Sequence, residues 1–334
     1  MKSTTLLFLF VLFGLAACNP AASAPTATMV PTAAAKTGTL RINLPTNAGI
    51  ADIPVLMALD ALKSQGYTVE TADFAQFELL TAALVKGDLD IASGGNEQTW
   101  AAISKGAPIR TIIGWNTDPY YMVSKQELQD CAALTGKVVA MNIAKGTFTR
   151  MFDQYVQQHC PGTTPQIIVI QSANNRVPAL LSGQVDAALL KLDGKLEVER
   201  QAPGKFHPLM SFNKEFPQLL LSGYHVRREF GTQHPEIVKD LVRAVVEASR
   251  RIQDKQSLYA AIAKFLPTTT NAQAVADAYL AEGTWDLNGG WTPERIQATL
   301  EFAKKANVVP AELKAEDVTD LSYLNAVLDE IGRK

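Results

Sequence analysis

The chain has 334 residues, 47% of them hydrophobic and 19% charged, a normal globular mixture long enough for two domains of ordinary size. Its 31 Lys and Arg stand against 33 Asp and Glu, a formal charge of −2. That balance gives no basic excess for a phosphate backbone, so nucleic acid is excluded as an expected partner.

At the amino terminus, Lys2 precedes the apolar run LLFLFVLFGLAA from Leu6 to Ala17, too short to span a bilayer comfortably and right for the hydrophobic part of a signal peptide. The run ends in LAAC at Leu15 to Cys18, which resembles the lipobox of bacterial lipoproteins. That resemblance implies a signal peptide over 1–17, lipidation and acylation (a palmitate-type anchor) at Cys18, and a place on the extracytoplasmic face of the cell membrane. An ordinary secretory signal that happens to contain a cysteine is the alternative. From Asn19 to Ala35 there is no charge, only a run dominated by Ala, Thr, Pro and Ser, which cannot build a core and reads as a tether reaching to residue 37. No later apolar run reaches transmembrane length.

Strand and helix signals then alternate. TLRINLP reads as a buried strand, and VLMALDALKSQG as a helix stopped by Gly66. YTVETADF is a second strand, FELLTAALVKG a second helix ended by Gly87, LDIASGG a third strand, and EQTWAAISKG a third helix leading into IRTIIGW. A second series begins near Tyr121: KVVAMNI, a helix from Thr147 to about His159, PQIIVIQ, a helix closed by Gly183, and VDAALLK. This alternation predicts parallel sheets covered by helices on both faces. LLLSGYHVRREF, from Leu219 to Phe230, reads as an extended return segment, with helices beyond it. Cys131 and Cys160, an even pair on an exported chain, are expected to form a disulfide, the alternative being two buried thiols.

The two series share an echo: ALVKGDLDIASG, beginning at Ala83, returns 96 positions later as ALLSGQVDAALL, beginning at Ala179. Gly87 and Asp90 become Gly183 and Asp186. Two similar α/β lobes are therefore expected, each sending the carboxyl end of a strand toward a shared ligand side, where open α/β sheets bind their ligands.

The segments PVLMALDALKSQGYTVE, ALVKGDLDIASGG, ISKGAPIRTI, LTGKVVA with KGTFTR, ALLSGQVDAALL and HPEIVKDLVRAVVEA, in this order, resemble the solute-binding proteins of ABC importers. The branch is that of the nitrate, sulfonate, taurine and thiamine-pyrimidine-precursor binders, which includes riboflavin-binding lipoproteins. The resemblance implies the type II periplasmic-binding-protein clamshell, two α/β lobes joined by two crossover strands. Lobe I would comprise 38–120 and 223–334, and lobe II 121–222. It also implies capture of a small solute, riboflavin foremost, by a monomer that delivers it to a membrane permease by hinge closure.

Candidate contacts lie at strand ends and helix starts. In the first lobe these are Thr46 and Asn47, Gly95 and Asn96 in SGGN, and Trp115, Asn116, Tyr120 and Tyr121 at the crossover. SGGN reads equally as a turn and helix cap. In the second lobe they are Thr147 and Phe148 at a helix start, Asn174 and Asn175, and Asp193. Phe148 has a core reading beside this one, and Asp193 a capping one. Aromatic faces and amides suit an uncharged heteroaromatic solute better than a sulfonate or nitrate, which want converging cationic donors. Trp285 and Trp291 fit core anchors as well as rim residues. No P-loop, G-x-S-x-G or H-E-x-x-H motif is present, and the four histidines lack ligand spacing, so no catalytic residue, metal or cofactor is expected. A eukaryotic relative that makes the thiamine pyrimidine carries a cysteine-rich motif, and this chain has only two cysteines after Cys18.

Overall fold

A computed structural model describes residues 36–44, 48–74, 77–114, 117 and 119–334, without the side chains of 77 and 78. The signal peptide, Cys18 and most of the tether lie outside the described residues, as do Thr46, Asn47, Trp115 and Asn116.

The first series folds as β1 (Thr39–Leu44), α1 (Ile53–Ser64), β2 (Thr68–Asp73), α2 (Phe77–Lys86), β3 (Ile91–Gly95), α3 (Asn96–Ile103) and β4 (Ile109–Ile113). The second is β5 (Tyr120–Lys125), β6 (Val138–Met141), α4 (Thr147–His159), β7 (Gln166–Val169), α5 (Ala173–Leu181), β8 (Ala187–Lys191), α6 (Leu192–Gln201) and β9 (Phe206–Ser211). After α7 (Phe212–Glu215), β10 (Ser222–Arg227) returns to the first sheet. Then come α8 (Arg228–Gln233), α9 (Pro235–Arg251), α10 (Lys255–Phe265), α11 (Ala272–Ala281), α12 (Pro293–Lys305), α13 (Ala315–Val318) and α14 (Ser322–Ile331). Among the described residues no helix is long and apolar enough to cross a membrane.

The sheets are ordered β2-β1-β3-β10-β4 and β7-β6-β8-β5-β9, the same pattern twice. They are mixed, which corrects the expectation of parallel sheets. β10 runs antiparallel between β3 and β4, and β5 runs antiparallel between β8 and β9. The cause is connectivity: each of these strands enters its sheet directly from the other lobe, so it lacks the helical crossover that makes neighbours parallel. β5 and β9 lie outside the elements read from the sequence for the same reason, since no helix follows β5 to mark the alternation.

The echo holds the amino ends of the sheets. Gly87 and Gly183 sit at φ +82° and +78°, the left-handed region that lets α2 and α5 stop and the chain turn into β3 and β8. Asp90 then accepts the backbone N–H of Arg41 at 2.9 Å, and Asp186 that of Val138 at 2.9 Å. The carbonyl of Asp90 accepts from the Arg227 N–H and that of Asp186 from the Lys125 N–H. Both carboxylates also pair with cations from those strands: Asp90 with Arg41 and Arg227, Asp186 with Lys125. One aspartate per lobe thus fastens three adjacent strands.

Packing follows the periodicity. On α9, Ile237, Val238, Leu241, Val242, Val245 and Val246 recur at helical spacing, are buried, and face α1 and α14. Burying each such side chain contributes about 1.5–3 kcal/mol. A smaller core around Met122, Met141, Phe152, Leu189 and Phe212 fills one face of the second sheet. Cys131 and Cys160 are joined by a disulfide, Cα atoms 5.9 Å apart, tying the turn before β6 to the end of α4.

Candidate functional site

The carboxyl ends of β3 and β8, the start of α4 and the start of β5 meet where the lobes touch. The centre of this region is a residue the sequence reading passed over. Glu97, at the second position of α3 and 4% exposed, receives hydrogen bonds at one carboxylate oxygen from the Thr147 hydroxyl and the Arg150 guanidinium, both on α4. The signal for it was in the echo: Glu97 lies 96 positions before Asp193, and both occupy the second position of the helix that follows the echo strand. Its other oxygen, Oε1, is buried without a hydrogen-bond partner among the described residues.

Thr147 and Phe148 open α4 behind Gly146, an N-cap with no side chain to satisfy the first N–H groups. The ring of Phe148 lies tilted at 4.2 Å from Tyr120 and meets the fully buried Phe212 edge-on at 5.3 Å, so Tyr120 and Phe148 form a half-buried aromatic wall backed by Phe212 in the core. Lys191 and Lys195 extend over the rings of Tyr120 and Tyr121 at 5.7 and 5.4 Å. Tyr121 is buried, and burial together with Glu282 pushes its hydroxyl ionisation up.

Asn96 is fully buried. Its amide donates to the Leu220 carbonyl at 2.5 Å and its backbone N–H to Leu221, so it fastens the chain entering β10, with Oδ1 left unpaired among the described residues. Gly95 is the N-cap of α3. Asn174 and Asn175 are exposed at the start of α5, and their side chains make no hydrogen bond among the described residues. The neighbouring Arg176 is buried and donates to three carbonyls, of Leu189, Ile170 and Gln171. Asp193 is exposed and caps nothing, but its charge reaches Asp52 of the first lobe. Burial raises the Asp52 carboxyl above its ordinary range, Lys191 opposes this, and Asp193 adds to it. Trp285 and Trp291 are buried: one donates to the Ala51 carbonyl, the other lies 5.7 Å from Trp100 and so close to Gly114 that a Cβ there would meet its indole nitrogen at 2.5 Å. Both are core anchors.

Electrostatically, then, lobe I presents carboxylates (Glu97, Asp52) and lobe II cations (Arg150, Lys191). Among the described residues no group of three or more His, Cys, Asp or Glu could hold a metal. A cavity of about 370 Å³ lies at the opposite, amino end of the first sheet, lined by Arg41, Asp90, Arg227 and Phe230, and belongs to the strand anchor.

The family described as NMT1/THI5 like matches residues 62–256, more than half of the chain. The chain belongs to this family. The match takes in α3, α4 and β8, and therefore Glu97, Arg150 and Lys191 of this NMT1/THI5-like protein. Among solved structures it is similar to the periplasmic aliphatic sulphonate binding protein SsuA from Escherichia coli (TM-score 0.65, 18% identity, 84% of this chain and 92% of that one). The periplasmic nitrate-binding protein NrtA from Synechocystis PCC 6803 follows (TM-score 0.64, 16% identity, 88% and 89%). So does the desulfurization enzyme DSZB (TM-score 0.63, 14% identity, 88% and 99%). At these identities the likeness establishes the fold, the periplasmic-binding-protein clamshell of two α/β lobes. A search of curated proteins returns no match.

Proposed function

We propose that this protein is the extracytoplasmic solute-binding component of an ABC importer, anchored through lipid at Cys18, and that it captures a small heteroaromatic solute, riboflavin being the first to test. Lobe I is taken as 38–120 with 223–334 and lobe II as 121–222. The observation that carries the reading is the half-buried aromatic wall of Tyr120 and Phe148, backed by the buried Phe212, beside the start of α4, where two lobes meet on the carboxyl side of both sheets. Solute docks on this wall, and hinge closure presents the closed form to the permease. The family match and the sulphonate- and nitrate-binding neighbours support a transport receptor over other uses of the fold.

The test is a binding panel on the full-length protein in detergent, following thermal unfolding with riboflavin, a thiamine pyrimidine precursor, taurine and nitrate. A ligand at a thousandfold excess over its Kd stabilises the native state by about 4 kcal/mol. Stabilisation by riboflavin alone, lost in Tyr120→Ala and Phe148→Ala, assigns the solute. Stabilisation by taurine or nitrate keeps the receptor role and replaces the heteroaromatic solute. DSZB, an enzyme on a similar fold, makes turnover the second reading. Release of chemically altered ligand after incubation would establish it, and recovery of intact ligand would dismiss it.

A further inference from the structure

We propose that Glu97 sets the charge class of the solute: its carboxylate occupies the oxyanion cradle of lobe II and shuts small oxyanions out, so that the cleft takes an uncharged or cationic solute carrying an N–H or O–H donor. This rests on the cleft being the solute site.

The cradle is built as an anion site is built. The uncapped amino end of a thirteen-residue helix, α4, supplies the positive end of a helix dipole. The Thr147 hydroxyl and the Arg150 guanidinium converge on one oxygen, as they would on one oxygen of a sulfonate or nitrate. Arg150 is further fixed by the Lys145 carbonyl, which aims its second nitrogen. Into this cradle the protein places its own carboxylate, and Glu97 is held there: its side chain is 5% exposed, against 22% for Arg150. The pair is formed across the lobes, so it exists only when they are together.

Two nearby cations are already engaged: Arg176 gives Nε and Nη1 to three carbonyls, and Lys191 lies against Tyr120 and feels Asp52. The unpartnered oxygen of Glu97 points to the complementary ligand chemistry. A buried carboxylate oxygen lacking a donor is costly, and a ring N–H, amide or ammonium of a solute repays it. An oxyanion, bringing only acceptors, would face repulsion at the same place.

Titration calorimetry on the full-length protein in detergent, with inorganic sulfate, nitrate and methanesulfonate as probes, tests this. The wild type is expected to bind none of them. Glu97→Ala empties the cradle and should bind sulfate more tightly than wild type by about tenfold or more. Glu97→Ala combined with Arg150→Ala should lose that gain. Wild-type binding of any probe that Arg150→Ala abolishes overturns the proposal, since Arg150 would then serve a solute anion. A folded Glu97→Ala with no gain for sulfate overturns it as well. Should Glu97→Ala fail to fold, Glu97→Ser shortens the side chain out of the cradle and removes the charge while keeping a polar group in the first turn, and absence of any gain for sulfate there has the same force. The gain is read without the natural solute, so a receptor reading that fails on the binding panel leaves this result standing separately.

Discussion

Acidification should weaken the fold through one buried imidazole. His225, on β10 in the middle of the first sheet, is 1% exposed. Trp100 Nε1 donates to Thr111 Oγ1 at 3.0 Å, and the Thr111 hydroxyl lies 2.9 Å from His225 Nδ1. His225 Nε2 lies 3.1 Å from the Gly94 carbonyl, so the hydrogen-bond chain assigns the neutral ring with its proton on Nε2. Burial lowers the ring from its ordinary 6.5 to about 4, the Gly94 carbonyl opposing only in part. Between these values the unfolded chain binds a proton that the folded one refuses, so stability is full above pH 6.5 and falls as pH drops toward 4. Linkage gives a loss of about 2 kcal/mol from pH 7 to pH 5, and about 3 kcal/mol over the whole window. Urea unfolding of wild type and His225→Gln at pH 7 and pH 5 measures it. The stability gap between them should shrink by about 2 kcal/mol at the lower pH, because the variant does not titrate there. A gap that stays constant within about 0.5 kcal/mol would show that the ring is charged in the fold and refute the reasoning.

The strand anchors should rank by burial: Asp90→Ala strands two arginines and a backbone N–H and is expected to cost about 3 kcal/mol, whereas Asp186→Ala, whose own carboxylate is 20% exposed against 2% for Asp90 and has one cation partner, costs about 1–2 kcal/mol, both by urea unfolding. Equal costs would mean the echo does not act through these pairs. Reducing the Cys131–Cys160 bond, which spans a separation of 29 residues, should lower stability by about 3–4 kcal/mol in the same assay, and an unchanged urea midpoint would count against it. Gly183→Ala, at φ +78° with open space around it, should cost about 1 kcal/mol from backbone conformation alone, while Gly49→Ala, equally open and at φ −114°, should be neutral in thermal unfolding.

The sequence was most legible where local chemistry and fold agree. α4 begins and ends at the residues expected, Thr147 and His159, because a glycine N-cap and apolar positions at helical spacing (Met151, Phe152, Val156) mark it without outside help. The mixed sheets were not legible, since whether a strand returns parallel depends on the route of a crossover and not on its residues. At the site, Phe148 and Tyr120 do meet, but Asn96 turned out to hold the return strand, because an amide beside a strand end is useful to backbone and ligand alike. Glu97 escaped notice because a glutamate in the first turn of a helix is ordinary in sequence, and what makes it unusual, burial under Arg150 and Thr147, comes from the other lobe.

The echo separates two demands. At the amino ends of the sheets both lobes keep the same solution, an aspartate bonded to the N–H of a neighbouring strand and paired with a cation, because holding three strands in register is the same problem in each. Seven residues further along, at the carboxyl ends, the lobes diverge: Glu97 reaches across and is buried, whereas Asp193, one methylene shorter, stays exposed and acts on Asp52 only through its charge. A carboxylate that bridges the lobes and one that does not make closure asymmetric. The first lobe brings the anion, the second brings the cradle, and a solute must satisfy whatever that pairing leaves over. The leftover group is an acceptor, Glu97 Oε1, so on the proposed role of Glu97 charge class would follow from one residue while ring recognition would be spread over several.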